Sequence, residues 1–279
     1  MPSTLRFSTA DAHAIGEILR DAAQAEILPC FRRLDDTAIR HKSSPLDLVT
    51  DADEAAERMI TARLATAFPR AVIIGEEATA RDPLLPDQLG AAPFAILVDP
   101  IDGTKNFASG LPLFGVMAAV VSANTVVAAI IHDPVSDDCA YAIRGEGAWL
   151  EHRDGRRIDL RVAKAPPLAQ MLGIVSWMFM PEPMRSTVTR NLGRVAGASD
   201  YRTAAHEYRL VAAGHFDFVM FSKLLPWDHA AGVLLHAEAG GYSARFNGEP
   251  YLPTVHSGGL LCAPDRDSWR VLHDALLGD

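Results

Sequence analysis

Phe94-Ala-Ile-Leu-Val-Asp99-Pro-Ile-Asp102-Gly-Thr104 joins an unbroken apolar run to two carboxylates and a turn. The run from Phe94 to Val98 predicts a strand covered on both faces, because a strand with one wet face alternates in polarity. Pro100 has no N–H to give a neighbouring strand, so the strand is expected to stop there and turn outward with Asp99 and Asp102. Gly103 reaches backbone angles closed to other residues, and Thr104 starts a helical turn whose first N–H groups lack an acceptor within the helix. Such N–H groups attract phosphate, while paired carboxylates attract a hard divalent cation such as Mg²⁺. A metal and a phosphate in one crevice point to phosphoryl chemistry. By itself the segment also fits a plain turn in which Asp99 caps backbone groups. Three further clusters tip the balance.

The first is Lys42-Ser-Ser-Pro-Leu-Asp47-Leu-Val-Thr50-Asp51-Ala-Asp53. Thr50 and Asp53 have the spacing of a capping box, and Ala55, Ala56, Met59, Ile60, Leu64 and Phe68 continue as a helical stripe. Asp53 then lies in the first turn, where the helix dipole favours an anion. The second is Val72-Ile-Ile-Gly75-Glu76-Glu77, a short β-branched run ending in glycine and two acids. Neighbours on a strand face opposite ways, so Glu76 is expected to serve a metal and Glu77 to orient a ligand or meet solvent. The third is Pro226-Trp-Asp228-His-Ala-Ala-Gly232, which opens a helix expected to reach about Glu238. Asp228 reads alone as an N-cap, but it also offers a carboxylate from the other half of the chain.

Together these segments resemble the inositol monophosphatase family of Mg²⁺-dependent, lithium-sensitive phosphomonoesterases. The matching pieces are Asp47-Leu-Val-Thr50-Asp-Ala-Asp53, Gly75-Glu76-Glu77, Asp99-Pro-Ile-Asp-Gly-Thr104 with Asn106-Phe107, and Trp227-Asp228-His-Ala-Ala-Gly232. The resemblance implies a layered α/β fold, an αβαβα sandwich of the inositol monophosphatase/fructose-1,6-bisphosphatase type, and usually a homodimer. It implies that Glu76, Asp99 and the Ile101 carbonyl hold one Mg²⁺, that Asp99, Asp102 and Asp228 hold a second, and that Glu76 supports a weaker third. Gly103 and Thr104 would bind the phosphate, Asp53 and Thr104 would polarise the attacking water, and Lys42 would lie on a loop near the site.

Three departures from the family pattern bear on the substrate. Ile96 replaces a frequent tryptophan. Phe221 stands seven residues before Asp228, where the family usually has a glutamate that grips inositol hydroxyls. Arg202-Thr203-Ala204-Ala205 puts an arginine where glycine is usual, with Thr203 and Ala204 as expected substrate contacts. Phe221, Lys223 and Arg202 suggest a ligand other than plain inositol phosphate, and a second phosphate would suit the cations. Fructose-1,6-bisphosphatase, 3′(2′),5′-bisphosphate nucleotidase and histidinol-phosphatase activities are the alternatives within the family. A non-catalytic sensor of phosphate or metal that regulates a partner is the alternative of another class.

The 279 residues are 49% apolar and 22% charged, as expected of a globular chain. A net charge of −9 argues against a nonspecific nucleic-acid binder. Cys30, Cys139 and Cys262 are too few and scattered for a disulfide framework or a thiolate zinc site, and a cytoplasmic enzyme without a signal peptide is expected. Residues 107–131 carry no charge, yet Ser122-Ala-Asn124-Thr interrupts them, so two buried strands joined by a tight turn are predicted instead of a membrane span. Further helices are expected from Ser8 or Thr9, over 183–194, over 203–213 and after Asp265, with strands near 172–176, 216–220 and 259–262. The only linker candidate, Ala163 to Ala169, divides residues 1–162 from 163–279. No histidine pair has zinc spacing; His229 follows Asp228 and reads either as a hydrogen-bond support behind that ligand or, the preferred reading, as a helix-surface residue.

Overall fold

The computed structural model describes residues 7–34, 39–44 and 47–278, although the side chains of residues 41–44 and 47 lie outside the described part. Its first sheet, among the described residues, has strands in the order β3-β4-β5-β6-β7-β8-β9. These are Val72–Gly75, Phe94–Asp102, Gly115–Ser122, Thr125–Asp133, Asp138–Ile143, Gly147–His152 and Arg157–Asp159. A separate hairpin of β1 (Ile39–Ser44) and β2 (Asp47–Thr50) precedes them. β3 runs parallel to β4, and every later neighbour is antiparallel.

The continuous apolar run of β4 is explained by what covers it. Phe94, Ile96 and Val98 pack into one core with α1 (Thr9–Ala22) and α2 (Asp51–Ala67), while Ala95 and Leu97 point into a second core on the opposite face. The period-two alternation is present, but both sides are dry. Ser8 and Asp11 form a capping box at α1, and Thr50 and Asp53 form the expected one at α2. The charge-free stretch folds as the predicted hairpin: β5 and β6 are joined by Ala123 and Asn124, whose φ angles of 48° and 60° belong to a type I′ turn. Among the described residues no helix is long and apolar enough to cross a membrane.

The second core is shared between the two halves of the chain. Helices α7 (Ala204–Ala212) and α8 (Pro226–Glu238) fill the layer between the first sheet and a second one. Gly232 allows their close approach, since a Cβ there would stand 1.9 Å from the Tyr208 ring. The second sheet has the order β11-β10-β12-β14-β13, built from Gly197–Ser199, Leu172–Val175, Phe218–Phe221, Leu260–Ala263 and Tyr242–Arg245. A third core joins its far face to α6 (Met184–Asn191) and α9 (Arg266–Leu277), the latter capped by Asp265 as expected. The layers run helix, sheet, helix, sheet, helix, as the αβαβα expectation required. The short helices α3 (Glu76–Arg81), α4 (Gln88–Ala91) and α5 (Thr104–Ala108) lie between the strands of the first half.

Two local expectations are corrected. Pro100 does not end β4, which continues to Asp102. Between Asp99 and Asp102 three steps on β4 are matched by two on β5, from Met117 to Gly115, so one extra residue is accommodated as a bulge. His229 is not on a helix surface: it is 2% exposed, beneath the cleft floor.

Burial holds His132, His229 and His236 near a pKa of about 4, well below the ordinary value. The unfolded chain takes up these protons near pH 6.5, so the stabilisation from keeping them neutral is complete above that pH and is lost as pH falls toward 4. Moving from pH 7 to pH 5 is expected to cost about 2 kcal/mol per histidine. Asp102, whose carboxyl is raised to about 6, opposes this trend, so the check is the pH dependence of the urea midpoint in His236→Gln against the native protein. An equal slope in both would contradict it.

Candidate metal and phosphate site

Glu76, Asp99 and Asp228 meet from three distant parts of the chain. Each offers a carboxylate oxygen, and these oxygens lie within 4.8 Å of one another. Glu76 opens α3, Asp99 sits at the β4 bulge, and Asp228 stands in the first turn of α8. On a regular strand Asp99 and Asp102 would face opposite ways; the bulge's extra residue restores them to one side. Both line the same cleft, with Glu76 and Asp228. An all-oxygen set of three anions suits a hard cation such as Mg²⁺, and its negative charge is what a divalent ion would offset.

Asp102 lines the cleft but, among the described residues, does not join that group. One of its oxygens accepts from the Thr203 hydroxyl at 2.5 Å and the Ala205 N–H at 2.7 Å, and the other from the Ala204 N–H at 3.1 Å. It therefore caps α7 from a hundred residues away, engaging the Thr203 hydroxyl and the Ala204 N–H, while Thr203 and Ala204 line the cleft as well. Burial pushes the Asp102 carboxyl up to about 6, against these hydrogen bonds, with the Glu76 charge adding to the rise.

Gly103, with φ of 88°, turns the chain from β4 into α5. A Cβ there would lie 3.0 Å from both the Leu113 carbonyl oxygen and the Thr203 Cβ, so this left-handed and crowded position calls for glycine. Helix α5 then starts with N–H groups that have no intrahelical acceptor, and Gly103, Thr104 and Lys105 at this start line the cleft. The Thr104 hydroxyl lies 3.1 Å from Asp53 Oδ1 and 2.9 Å from the Ile101 carbonyl oxygen. Asp53 is 1% exposed, and its Oδ2 accepts from the Thr50 N–H at 2.8 Å and the Thr50 hydroxyl at 2.5 Å. The capping box of α2 thus fixes the carboxylate that addresses Thr104. The Ile101 N–H donates to Asp99 Oδ1 at 3.1 Å, tying the bulge to the cluster.

Glu77 was expected to orient a ligand or meet solvent; it is 3% exposed, because Glu76 and Glu77 start a helix and not a strand end. Sequence reasoning overlooked the residue that fixes this helix. Glu57, 2% exposed on α2, accepts from the Glu77 N–H and the Ala78 N–H, each at 2.7 Å, and so caps α3 across space. No local pattern marks it. His229 takes its hydrogen-bonding reading and not the surface one: its Nε2–H donates to the Lys223 carbonyl at 2.7 Å, which leaves Nδ1 to accept from the Tyr208 hydroxyl at 3.0 Å. Phe221 lines the cleft and packs on that His229 ring. The Lys42 side chain lies outside the described residues.

Five alternating layers thus bring three carboxylates beside a helix start, an arrangement able to hold a cation next to a phosphate. A family model described as the inositol monophosphatase family matches residues 3–279, and the chain belongs to that family. It is 30% identical over 217 residues to an inositol-1-monophosphatase of Bacillus subtilis, covering 76% of this chain and 78% of that one. It is 34% identical over 228 residues to a protein of Pseudomonas aeruginosa named Nus factor SuhB, covering 80% of each. Among solved structures, the extragenic suppressor protein suhB from Bartonella henselae matches with a TM-score of 0.79 at 27% identity, covering 96% of this chain and 98% of that one.

Proposed function

We propose that this phosphatase hydrolyses a small phosphomonoester using water activated at a Mg²⁺ site held by Glu76, Asp99 and Asp228. The observation that supports this best is the convergence of those three carboxylates on the cleft that also contains the α5 start. The Ile101 carbonyl and the remaining capacity of Asp102 would complete two ion sites, with Glu76 available to a third. When bound, Mg²⁺ neutralises phosphate charge, lowers the pKa of water and offsets the charge of the departing oxygen.

The remaining work falls to the chain. The Gly103 and Thr104 N–H groups hold the phosphate, and the Thr104 hydroxyl accepts from the attacking water while donating to Asp53. Asp53 is the group toward which that proton moves. Asp228 comes from residues 163–279 and the other carboxylates from residues 1–162, which supports a site closed between two subdomains. Positioning and charge compensation are what phosphoryl transfer chiefly needs.

The test is phosphate release from a simple aryl phosphomonoester. Turnover is expected to fall below about a hundredth with a chelator and to return with added Mg²⁺. Unchanged turnover in the chelator would overturn the reading. The relatives named Nus factor SuhB support a second reading, a regulatory role beside catalysis. The completeness of the acidic set favours catalysis first.

A further inference from the structure

We infer that the alcohol released from the substrate carries a second anionic group and an apolar face, and is not a neutral polyol. This deepens the phosphatase reading and rests on it. The part of the cleft formed by residues 176–225 carries the evidence. Phe221 is 5% exposed, with its ring centroid 5.1 Å from Tyr208 and 4.7 Å from His229, so it is a fixed apolar surface. Phe179 extends that surface at the rim, where it is 42% exposed. A polyol turns hydroxyls in every direction and needs acceptors around it. Glu207 borders this region, but both its oxygens are buried: Oε1 accepts from the Tyr201 N–H at 3.0 Å and Oε2 has no hydrogen-bond partner among the described residues, so neither is exposed to a polyol.

What this region does present is cationic. Arg202 Nη2 donates to Asn106 Oδ1 at 3.1 Å. Asn106 is 1% exposed and is itself fixed by donating to the Leu113 and Tyr201 carbonyls at 2.9 and 2.7 Å. The guanidinium is therefore held in place with most of its donors left over. Asp200 offsets part of its charge and accepts the Arg202 N–H at 3.0 Å. Arg202 occupies φ of 54°, a left-handed position in which glycine would be unstrained, so the strain is borne for the side chain. Lys223 is exposed at the same cleft, its backbone anchored by His229. Ser222, beside Lys223 in the chain, also lines the cleft, though its Oγ is buried and has no hydrogen-bond partner among the described residues. Two cations beside an aromatic wall fit a phosphate or carboxylate on an apolar-faced alcohol. They repel an amino alcohol, which argues against histidinol phosphate.

The experiment compares matched pairs with Mg²⁺ present: 3′-phosphoadenosine 5′-phosphate against adenosine 3′-monophosphate, and fructose 1,6-bisphosphate against fructose 1-phosphate, with inositol 1-phosphate alongside. In at least one pair, kcat/KM for the doubly charged member is expected to exceed its partner and inositol phosphate by about tenfold or more. A response of the adenosine pair supports both halves of the inference; a response of the fructose pair alone would keep the second anion and overturn the apolar face, since fructose 6-phosphate is itself a polyol. Arg202→Gly, which relaxes the backbone, combined with Lys223→Ala is expected to remove that advantage. An advantage absent in both pairs would overturn the inference, as would one untouched by the double variant; the latter would mean that these cations hold the transferred phosphate. If no compound releases phosphate, the phosphatase reading fails separately. The subsite is then read by calorimetry, where equal affinity for 3′-phosphoadenosine 5′-phosphate and adenosine 3′-monophosphate would overturn it and about tenfold tighter bisphosphate binding, lost in the double variant, would support it.

Discussion

Asp99→Asn is expected to lower kcat/KM for phosphate release by about a thousandfold or more, equivalent to roughly 4 kcal/mol of transition-state stabilisation. Asn keeps the shape of the side chain and a carbonyl able to accept the Ile101 N–H, so the bulge in β4 has no reason to rearrange. What it removes is one negative charge from three oxygens gathered within 4.8 Å. Asp228→Asn is expected to give a loss of the same order, although this carboxylate arrives on a helix from the other half of the chain. Urea unfolding of both variants should stay near that of the native protein, which separates lost chemistry from lost folding. Near-native turnover in both would contradict the shared cation site.

The second large effect is expected at the water-activating pair. Thr104→Ala should reduce kcat by about a hundredfold with little change in KM, because the hydroxyl between the attacking water and Asp53 is gone. Thr104→Ser should recover most of the rate, since it restores that hydroxyl. Asp53→Asn should fall by a similar or larger factor and also lose about 1 kcal/mol of stability, since Oδ2 of Asp53 takes the Thr50 N–H and hydroxyl of the α2 cap. A rate for Thr104→Ser as low as that for Thr104→Ala would argue that the position acts through packing.

Much of this site could be read from the sequence because its pieces are local. The Thr50–Asp53 box, the Asp-Gly-Thr turn and the Ala123-Asn124 hairpin each depend on residues within a few positions of one another, and all three formed as read. The alternation hidden inside the apolar run of β4 became visible only when both cores were in place. What escaped were partnerships across the fold. Glu57 looks like one more helix acid until it caps α3 beneath Glu76. Asp102 has the spacing of a ligand, but a carboxylate also caps helices, and α7 lies a hundred residues further on. His229 follows Asp228 on α8, and only Tyr208 and the Lys223 carbonyl show that its face is buried. Pro100 was misread for a related reason: a proline ends a regular strand, but a bulge absorbs the missing donor.

The most direct measurement is a crystal grown with millimolar Mn²⁺, a scatterer that takes the same oxygen ligands, with diffraction recorded at the manganese absorption edge. The expected result is an anomalous peak within coordination distance of Glu76, Asp99 and Asp228, absent in the Asp99→Asn crystal. Carboxylates gathered as described with no peak between them, in a protein that still releases phosphate under the same conditions, would contradict the account.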